Sequence, residues 1–317
     1  MEKSIAIFEN SIFLYGGVEA WKNSRGVLIL NVRTDLAIEA KRMWDRSMQE
    51  KTKLPGVKAR QSGHFGIPID IVEVLDKTGA ERLGKPVGTY VTVELSCFFA
   101  KEKNYFRNAA EAVARVLHTM LPPHRSALVV GLGNREITPD AVGPLTLSSV
   151  IVTRHLVKTK RREFDRLMTV SAFEPGVLGS TGIESLDLVK AALSTSGAEC
   201  VIVVDALASC EPERICTTVQ ITDTGIVPGS GVGNRRSAFT REELGVPVYA
   251  VGVPTVMDAD TLQTSRKPQQ DRAVRDLIVT PRSIDTRVRE IGKLLGYGID
   301  LALQPELSFD DIPVFLS

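Results

Sequence analysis

Val201-Ile202-Val203-Val204 is an uninterrupted apolar run that ends at Asp205, and it decides the fold class. A short run without polar alternation is typical of a strand that is covered on both faces. Two similar apolar runs occur at 127–130 and 248–251. Helical periodicity is present at 140–156, 183–194 and 282–303. Strands that alternate with helices predict an α/β fold, with a parallel or mostly parallel sheet and helices on both faces.

Fewer secondary-structure elements are predicted in the segments on either side of these strands and helices. Apolar residues alternate with polar ones across 89–95, as in a half-buried strand, and residues 104–121 then change to a helical period. Pro122 ends that helix. Residues 1–30 have no sustained period and are expected to be loosely attached, and residues 263–276 are polar and predicted to be a loop.

Composition and charge exclude several classes of function. The chain has 39 Lys and Arg against 38 Asp and Glu. Its net charge is therefore too small to produce the positive electrostatic field that attracts DNA or an anionic membrane. No stretch approaches the about 18 consecutive apolar residues of a membrane span. The N-terminal segment also lacks the small-residue cleavage site of a secretory signal. We therefore expect a cytoplasmic protein with no direct nucleic-acid partner and no membrane partner.

Two carboxylates lie where ligands bind in an open α/β sheet, beyond the carboxyl ends of the strands. Asp205 directly follows an apolar strand, and Asp140 follows Pro139 near the start of a predicted helix. A carboxylate at the edge of a low-dielectric core costs free energy unless it is hydrogen-bonded or functional. Structural roles stay open for both, since Asp140 suits a helix cap and Asp205 can accept backbone N–H bonds.

If the two aspartates face one crevice, burial and mutual repulsion split their proton affinities. One acid then stays protonated and the other ionised. Such a pair can activate a water for attack on a peptide carbonyl and protonate the leaving amine. It can also bind a divalent metal if a third ligand is supplied. The residues alone leave both uses open.

Common short motifs are absent or incomplete. The four cysteines have no C-x-x-C spacing, and no H-E-x-x-H supports a zinc site. Gly131 and Gly133 lack the third glycine of a dinucleotide-binding loop, because position 136 is Glu. Cys210 lies just beyond Asp205 but has no local signature of a nucleophile.

Eight blocks of the sequence resemble the germination proteases of bacterial spores. The first, 130–144, is VGLGNREITPDAVGP and contains Asp140, and another, 204–208, is VDALA and contains Asp205. The remaining blocks are 153–156, 175–184, 220–226, 228–234, 252–258 and 278–285. The similarity runs from about Val32 to about Leu303.

The resemblance implies an endoprotease that begins the degradation of small acid-soluble spore proteins at germination. It implies a fold like that of the hydrogenase-maturation proteases, with Asp140 and Asp205 as an aspartic-type catalytic pair that needs no metal. It also suggests a homotetramer. Residues expected to orient the pair or to bind backbone are Asn134, Thr138, Gly229, Ser230 and Gly231.

The resemblance further implies a zymogen that removes its own prosegment. The family cuts within sequences like T-E-[FI]-A-S-E, after the acid, and residues 34–39 are Thr-Asp-Leu-Ala-Ile-Glu. Residues 1–35 are then the prosegment, 36–317 the single α/β catalytic domain, and Asp35-Leu36 the scissile bond. The segment before the cut is longer and more apolar than expected, and Ile38 replaces a small hydroxyl residue.

Two alternatives accompany this interpretation. A metalloprotease would use Asp140 and Asp205 as metal ligands, with His155 as the third. A non-catalytic protein would bind spore proteins without cleaving them, although both aspartates are present.

Overall fold

The chain forms two sheets and a set of helices. The computed structural model describes residues 11–14, 18–22, 28–30, 34–47, 54–96, 104–123, 125–230, 236–259 and 277–316, so the predicted loop at 263–276 lies outside the described residues. The strands are β1 Ser11–Leu14, β2 Val18–Lys22, β3 Leu28–Leu30, β4 Val57–His64, β5 Ile67–Val74, β6 Gly88–Glu94, β7 Ser126–Gly131, β8 Thr169–Phe173, β9 Cys200–Ala208, β10 Thr218–Thr222, β11 Val248–Asp258 and β12 Ile278–Val279. The helices are α1 Ala37–Ser47, α2 Lys77–Leu83, α3 Tyr105–Met120, α4 Val142–Leu147, α5 Arg154–Val157, α6 Leu178–Thr181, α7 Ser185–Ser196, α8 Arg241–Leu244, α9 Ile284–Leu303 and α10 Ile312–Leu316.

Over the described ranges, the main sheet has nine strands and is mixed. Its order is β4-β5-β6-β10-β11-β9-β7-β8, and β12 pairs with β11. The strands β11, β9, β7 and β8 run parallel, and three of them contain the apolar runs. The α/β prediction is therefore confirmed, with its parallel strands in one half of the sheet.

The other half of the main sheet is antiparallel, so the sheet is mixed rather than mostly parallel. Strands β4 and β5 are joined only by Phe65 and Gly66, whose φ angles are 53° and 79°. A two-residue link of this kind connects antiparallel neighbours. The turn contains neither of the usual Asn-Gly and Asp-Gly signals, so the hairpin cannot be predicted from the sequence.

Alternate residues of β9 separate the two faces of the main sheet. Cys200 and Val204 belong to a core formed with α3, α4 and α9. Val203 packs on the opposite face with α7 and α8. Leu207 belongs to a third cluster, formed with α1 and α2. Because side chains alternate along a strand, Asp205 lies on the face of Val203 and Leu207.

Three of the four predicted helices are confirmed with small shifts at their ends. They are 104–121, now α3, 183–194, now α7, and 282–303, now α9. The helix predicted at 140–156 is instead broken into α4 and α5. Between them, Ile151 donates its N–H to Asp300 Oδ1 at 2.9 Å, and Thr153 donates to the Val170 carbonyl at 3.1 Å. These tertiary partners replace the carbonyls that a continuous helix would supply.

The N-terminal residues contain a second, antiparallel sheet of order β1-β2-β3. Its strands have 4, 5 and 3 residues, too few to produce a visible period in the sequence. The sheet lies within residues 1–35, the segment that the sequence assigns to a prosegment. Among the described helices, none has the length and apolar character needed to cross a membrane.

Candidate active site

Asp205 lies in β9, beyond the apolar run, and is 4% exposed. Burial raises the pKa of its carboxyl well above the ordinary value, and the nearby carboxylates of Asp140 and Asp35 raise it further. A hydrogen bond from the Ala206 backbone opposes this shift. A carboxyl in such a place holds its proton at a pH where an exposed aspartate is ionised.

Asp140 is held by a tight loop that follows β7. It ends a 3₁₀ turn over Thr138–Asp140, and its Oδ2 accepts the Asn134 backbone N–H at 2.8 Å. Burial raises its pKa, while the bond from Asn134 and the charge of Arg236 act in the opposite direction. Asp140 thus has two neighbours that favour its ionised form, and Asp205 is surrounded by like charges.

Two glycines allow this loop to lie so close to the sheet. Gly133 has a φ of 111°, and a Cβ at that position would be 1.9 Å from the Asp140 carbonyl oxygen. A Cβ on Gly143 would be 2.2 Å from the Leu132 carbonyl oxygen and 2.6 Å from that of Val204. Both positions therefore exclude any side chain, and the close approach brings Asp140 to the face of β9 that carries Asp205.

Asp140 and Asp205 line one cavity of about 460 Å³, together with Asp35, Gly229 and Arg236. We call this space the acid cavity. A second cavity, of about 550 Å³, is lined by Asp35, Lys85, Gln220 and Ser230. Asp35 borders both cavities, as does Leu207 of β9.

The side chain of Asp35 is fixed by two donors. Its Oδ2 accepts the Ala208 backbone N–H at 2.9 Å, and its Oδ1 accepts the Ser230 hydroxyl at 2.7 Å. The Asp35 N–H in turn donates to the Ala208 carbonyl at 3.0 Å. Asp35 therefore pairs with the end of β9 in the way that a residue of an additional β-strand would.

The carbonyl of Asp35 also has two donors. Lys85 Nζ donates to it at 3.0 Å and to the Thr34 carbonyl at 3.1 Å. Gln220 Nε2 donates to the Asp35 carbonyl at 3.0 Å, while its Oε1 accepts the Ala37 N–H at 2.7 Å. Burial lowers the pKa of Lys85, and the carboxylates of Asp35 and Glu39 act to raise it.

Glu39 anchors the following helix, α1, to the segment after β9. Its side chain is fully buried, and its carboxylate accepts hydrogen bonds from the Ser209 hydroxyl and from the Cys210 backbone N–H at 2.9 Å. Thr34 also donates its hydroxyl to Glu39. Leu36 and Ala37 between them are fully buried. The segment 34–39 is therefore held at every residue except Ile38 by a named contact or by complete burial.

The other residues that the sequence analysis expects at the site do not all lie beside the two aspartates. Gly229 lines the acid cavity, and Ser230 contacts Asp35 rather than the aspartate pair. Thr138 donates its hydroxyl to Asp285 Oδ1 at 2.9 Å, so its hydrogen bond is directed to α9. Gly231 lies outside the described residues.

The described structure does not bring His155 together with the two aspartates. His155 is exposed on α5, and its neighbour Arg154 donates to the carbonyl of Thr195, just before β9 begins. His155 thus lies toward the amino ends of the parallel strands, whereas Asp205 lies toward their carboxyl ends. The described residues contain no group of three or more His, Cys, Asp and Glu side chains placed to hold a metal ion.

Cys210 is not arranged as a nucleophile. Its Sγ donates to Glu39 Oε2 at 3.0 Å, and burial together with the Glu39 carboxylate raises the pKa of the thiol far above its usual value. A nucleophilic cysteine requires the opposite shift, toward the thiolate.

The sequence did not single out Lys85, Gln220 or Arg236. Gln220 begins one of the eight blocks that carry the resemblance, but Lys85 lies in no motif. Lys85 follows α2, whose last turn ends at Gly84 with a φ of 68°. Only the folded chain brings Lys85 and Gln220 to the Asp35 peptide group, and Arg236 to the acid cavity, because the three residues come from different strands and loops.

The fold and the site define an α/β enzyme whose crevice lies at the carboxyl edge of its parallel strands. Comparison with known proteins agrees, since the sequence profile described as Germination protease matches residues 35–266. Germination proteases of Caldanaerobacter subterraneus subsp. tengcongensis and Clostridium tetani are 40% and 35% identical to the chain, over 89% and 91% of it and 97% and 100% of their own lengths. The chain belongs to the germination protease family and is a peptidase.

Two further similarities complete the comparison. The germination protease of Bacillus subtilis (strain 168) is 42% identical over 73% of the chain and 64% of its own length. Among solved structures, the [NiFe] hydrogenase maturation protease HycI from Thermococcus kodakarensis KOD1 is 15% identical, covers 58% of the chain and 98% of its own, and superposes with a TM-score of 0.29.

Proposed function

We propose that the chain is a zymogen endoprotease that cuts its own Asp35–Leu36 bond and then initiates the degradation of small acid-soluble spore proteins at germination. The observation that carries the proposal is the acid cavity, where Asp140 and Asp205 lie beside Asp35. The match to the family profile covers residues 35–266 and so includes Asp35, Asp140 and Asp205.

The two aspartates take different roles in this mechanism. Asp205 carries the proton, because burial and two neighbouring carboxylates raise its pKa most strongly. Asp140 is the ionised partner, since Asn134 and Arg236 favour its charged form. Asp140 accepts a proton from a water as the water oxygen attacks the Asp35 carbonyl carbon. Asp205 donates its proton to the Leu36 nitrogen as the C–N bond breaks. No metal or other cofactor enters these steps.

Substrate recognition follows from the segment that the chain itself supplies. The Ala208 N–H and the Ser230 hydroxyl bind the carboxylate before the cut. We infer that the acidic residue of a spore protein takes the same place, with an apolar residue after it in the position of Leu36. The substrates place the enzyme in the cytoplasm of the forespore and the spore core. The family resemblance further supports a homotetramer, which light scattering on the purified chain tests.

Replacement of either aspartate by Asn tests the mechanism. Asp140→Asn and Asp205→Asn each remove one proton-transfer group, so we expect self-processing to slow by roughly 10²- to 10⁴-fold. Intact mass after incubation at mildly acidic pH with a chelator measures the loss of residues 1–35. Asp300→Asn is the matched control, because Asp300 is equally buried but bonds to Ile151, away from the acid cavity.

The outcomes separate the competing functions. Cleavage of the wild type and of Asp300→Asn, but of neither pair variant, supports the acid pair. Processing that stops with the chelator contradicts a metal-free mechanism. A wild-type chain that cleaves neither itself nor a peptide of residues 30–42, yet binds spore proteins, contradicts the protease proposal in favour of the binding protein.

A further inference from the structure

Two side chains converge on a single backbone oxygen beside the acid cavity. Lys85 Nζ and Gln220 Nε2 each lie 3.0 Å from the carbonyl oxygen of Asp35. An oxyanion site of a peptidase consists of such donors, fixed about 2.7–3.1 Å from the oxygen on which negative charge develops. The oxygen here belongs to the bond that the proposed function would cleave.

Gln220 is oriented by the other half of its own amide group. It is 5% exposed, and its Oε1 accepts the Ala37 N–H at 2.7 Å. The Nε2 is thereby directed to the Asp35 carbonyl, and the side chain spans the backbone on both sides of the Asp35–Leu36 bond. A donor that is already oriented needs no reorganisation when charge appears on the oxygen.

Lys85 brings a positive charge to the same oxygen. Its ammonium donates to the carbonyls of Thr34 and Asp35, two neutral acceptors. Burial lowers the pKa of Lys85, and the nearby carboxylates of Asp35 and Glu39 act in the opposite direction and favour the ammonium. The charge is useful if the carbonyl oxygen becomes an anion, because a charge-assisted hydrogen bond is roughly twice as strong as a neutral one.

We propose that Lys85 and Gln220 form the oxyanion site of this enzyme, for self-processing and for protein substrates. The inference rests on the proposed function. As the water oxygen bonds to the Asp35 carbonyl carbon, the π electrons of the C=O move to the oxygen, where both donors bind the resulting anion. The C=O then reforms, the C–N bond breaks, and the Leu36 nitrogen leaves as an amine with the proton from Asp205. The products are one carboxylic acid and one amine, from one peptide bond and one water.

The test compares first-order self-processing of full-length chains. Lys85→Met keeps most of the aliphatic stem and removes the charge. Gln220→Glu keeps the acceptor for Ala37 and removes the donor. Each is expected to slow the cut at Asp35–Leu36 by about 10²- to 10³-fold, the usual loss for one oxyanion donor. Lys85→Arg, which retains a cation, should recover part of the rate. Lys77→Met, on the exposed surface of α2, is the matched control.

Rates and thermal unfolding together decide the result. Folded Lys85→Met that processes within about threefold of the wild type overturns the inference and leaves the proposed function intact. A wild type that does not cut at Asp35–Leu36 overturns both. If Lys85→Met fails to fold, Gln220→Glu decides in the same way. A role limited to holding the segment would lower the unfolding temperature in all Lys85 and Gln220 variants without this rate loss, and would also overturn the inference.

Discussion

Burial is the main cause of the high proton affinity of Asp205 in the acid cavity. It raises the pKa of Asp205 most, the carboxylate of Asp140 raises it further, and the carboxylate of Asp35 adds a smaller effect. Under the proposed function, Asp35 belongs to the segment that processing removes and Asp205 is the proton donor. The pKa of that donor would then be tuned by a carboxylate that is present only while the prosegment or an acidic substrate residue is bound.

The pH dependence of the processed enzyme should reveal this influence. Without Asp35 the pKa of Asp205 falls, so free enzyme loses the catalytic proton at a lower pH than enzyme with a bound acidic residue. With a peptide of residues 30–42 as substrate, we expect the alkaline limb of kcat/KM to lie at lower pH than that of kcat, since these limbs report free and bound enzyme. Steady-state rates across pH measure both. Coincident limbs would contradict the effect of Asp35.

Among the structural elements, the parallel strands and their long helices could be predicted from periodicity. Asp140 and Asp205 could be selected because parallel strands place their carboxyl ends at one edge. The hairpin of β4 and β5 could not, because its turn uses Phe65 with a positive φ. Lys85 and Gln220 were also beyond prediction, since Lys85 lies in the loop after α2 and Gln220 in β10, a strand that the sequence did not reveal.

A substitution at Gly133 tests whether the loop that follows β7 positions Asp140. Gly133→Ala should displace Asp140, because a Cβ there would be 1.9 Å from the Asp140 carbonyl oxygen. We expect self-processing to fall by roughly 100-fold or more, as for loss of a proton-transfer group. Intact mass against time measures the rate.

Gly182→Ala is the matched control for that change. Gly182 also has a positive φ, of 72°, but a Cβ there would meet no described atom within 4 Å. Gly182→Ala then carries only the backbone penalty of the left-handed region, about 1–2 kcal/mol, at a residue that does not line the acid cavity. Equal processing by the two variants would show that the loop of Gly133 does not position Asp140.

At the scale of the whole molecule, Asp300 links the stability of the fold to pH. It is 1% exposed in α9, and its Oδ2 is one of the described buried oxygens without a hydrogen-bond partner. Burial raises its pKa well above the ordinary value. A raised folded-state pKa favours the protonated folded chain, so its stabilising effect is complete below the unfolded pKa and is lost as pH rises toward the folded pKa.

Asp300→Asn should therefore stabilise the chain increasingly as pH rises. Asn can still accept a hydrogen bond from the Ile151 N–H but does not ionise. The variant therefore does not lose the folding stability that the wild type loses as the pH rises. We expect little difference in Tm from the wild type at pH 4, and a higher Tm for the variant at pH 7 by about 1–2 degrees for each 1 kcal/mol, with a stabilisation of about 1 kcal/mol or more. Differential scanning calorimetry on Asp205→Asn chains with and without the substitution avoids processing during the scan. An equal Tm difference at both pH values would contradict the effect.

The contacts of Asp35 have a consequence after the peptide bond is broken. Hydrolysis leaves the bonds from Ala208 and Ser230 to its side chain unchanged. The former carbonyl becomes a carboxylate beside Lys85, so a neutral acceptor is replaced by an anion and the contact is strengthened. Under the proposed function, the cleaved prosegment would then be a competitive inhibitor of the enzyme that produced it. Its dissociation, rather than the chemical step, would set the time at which the enzyme first meets another protein.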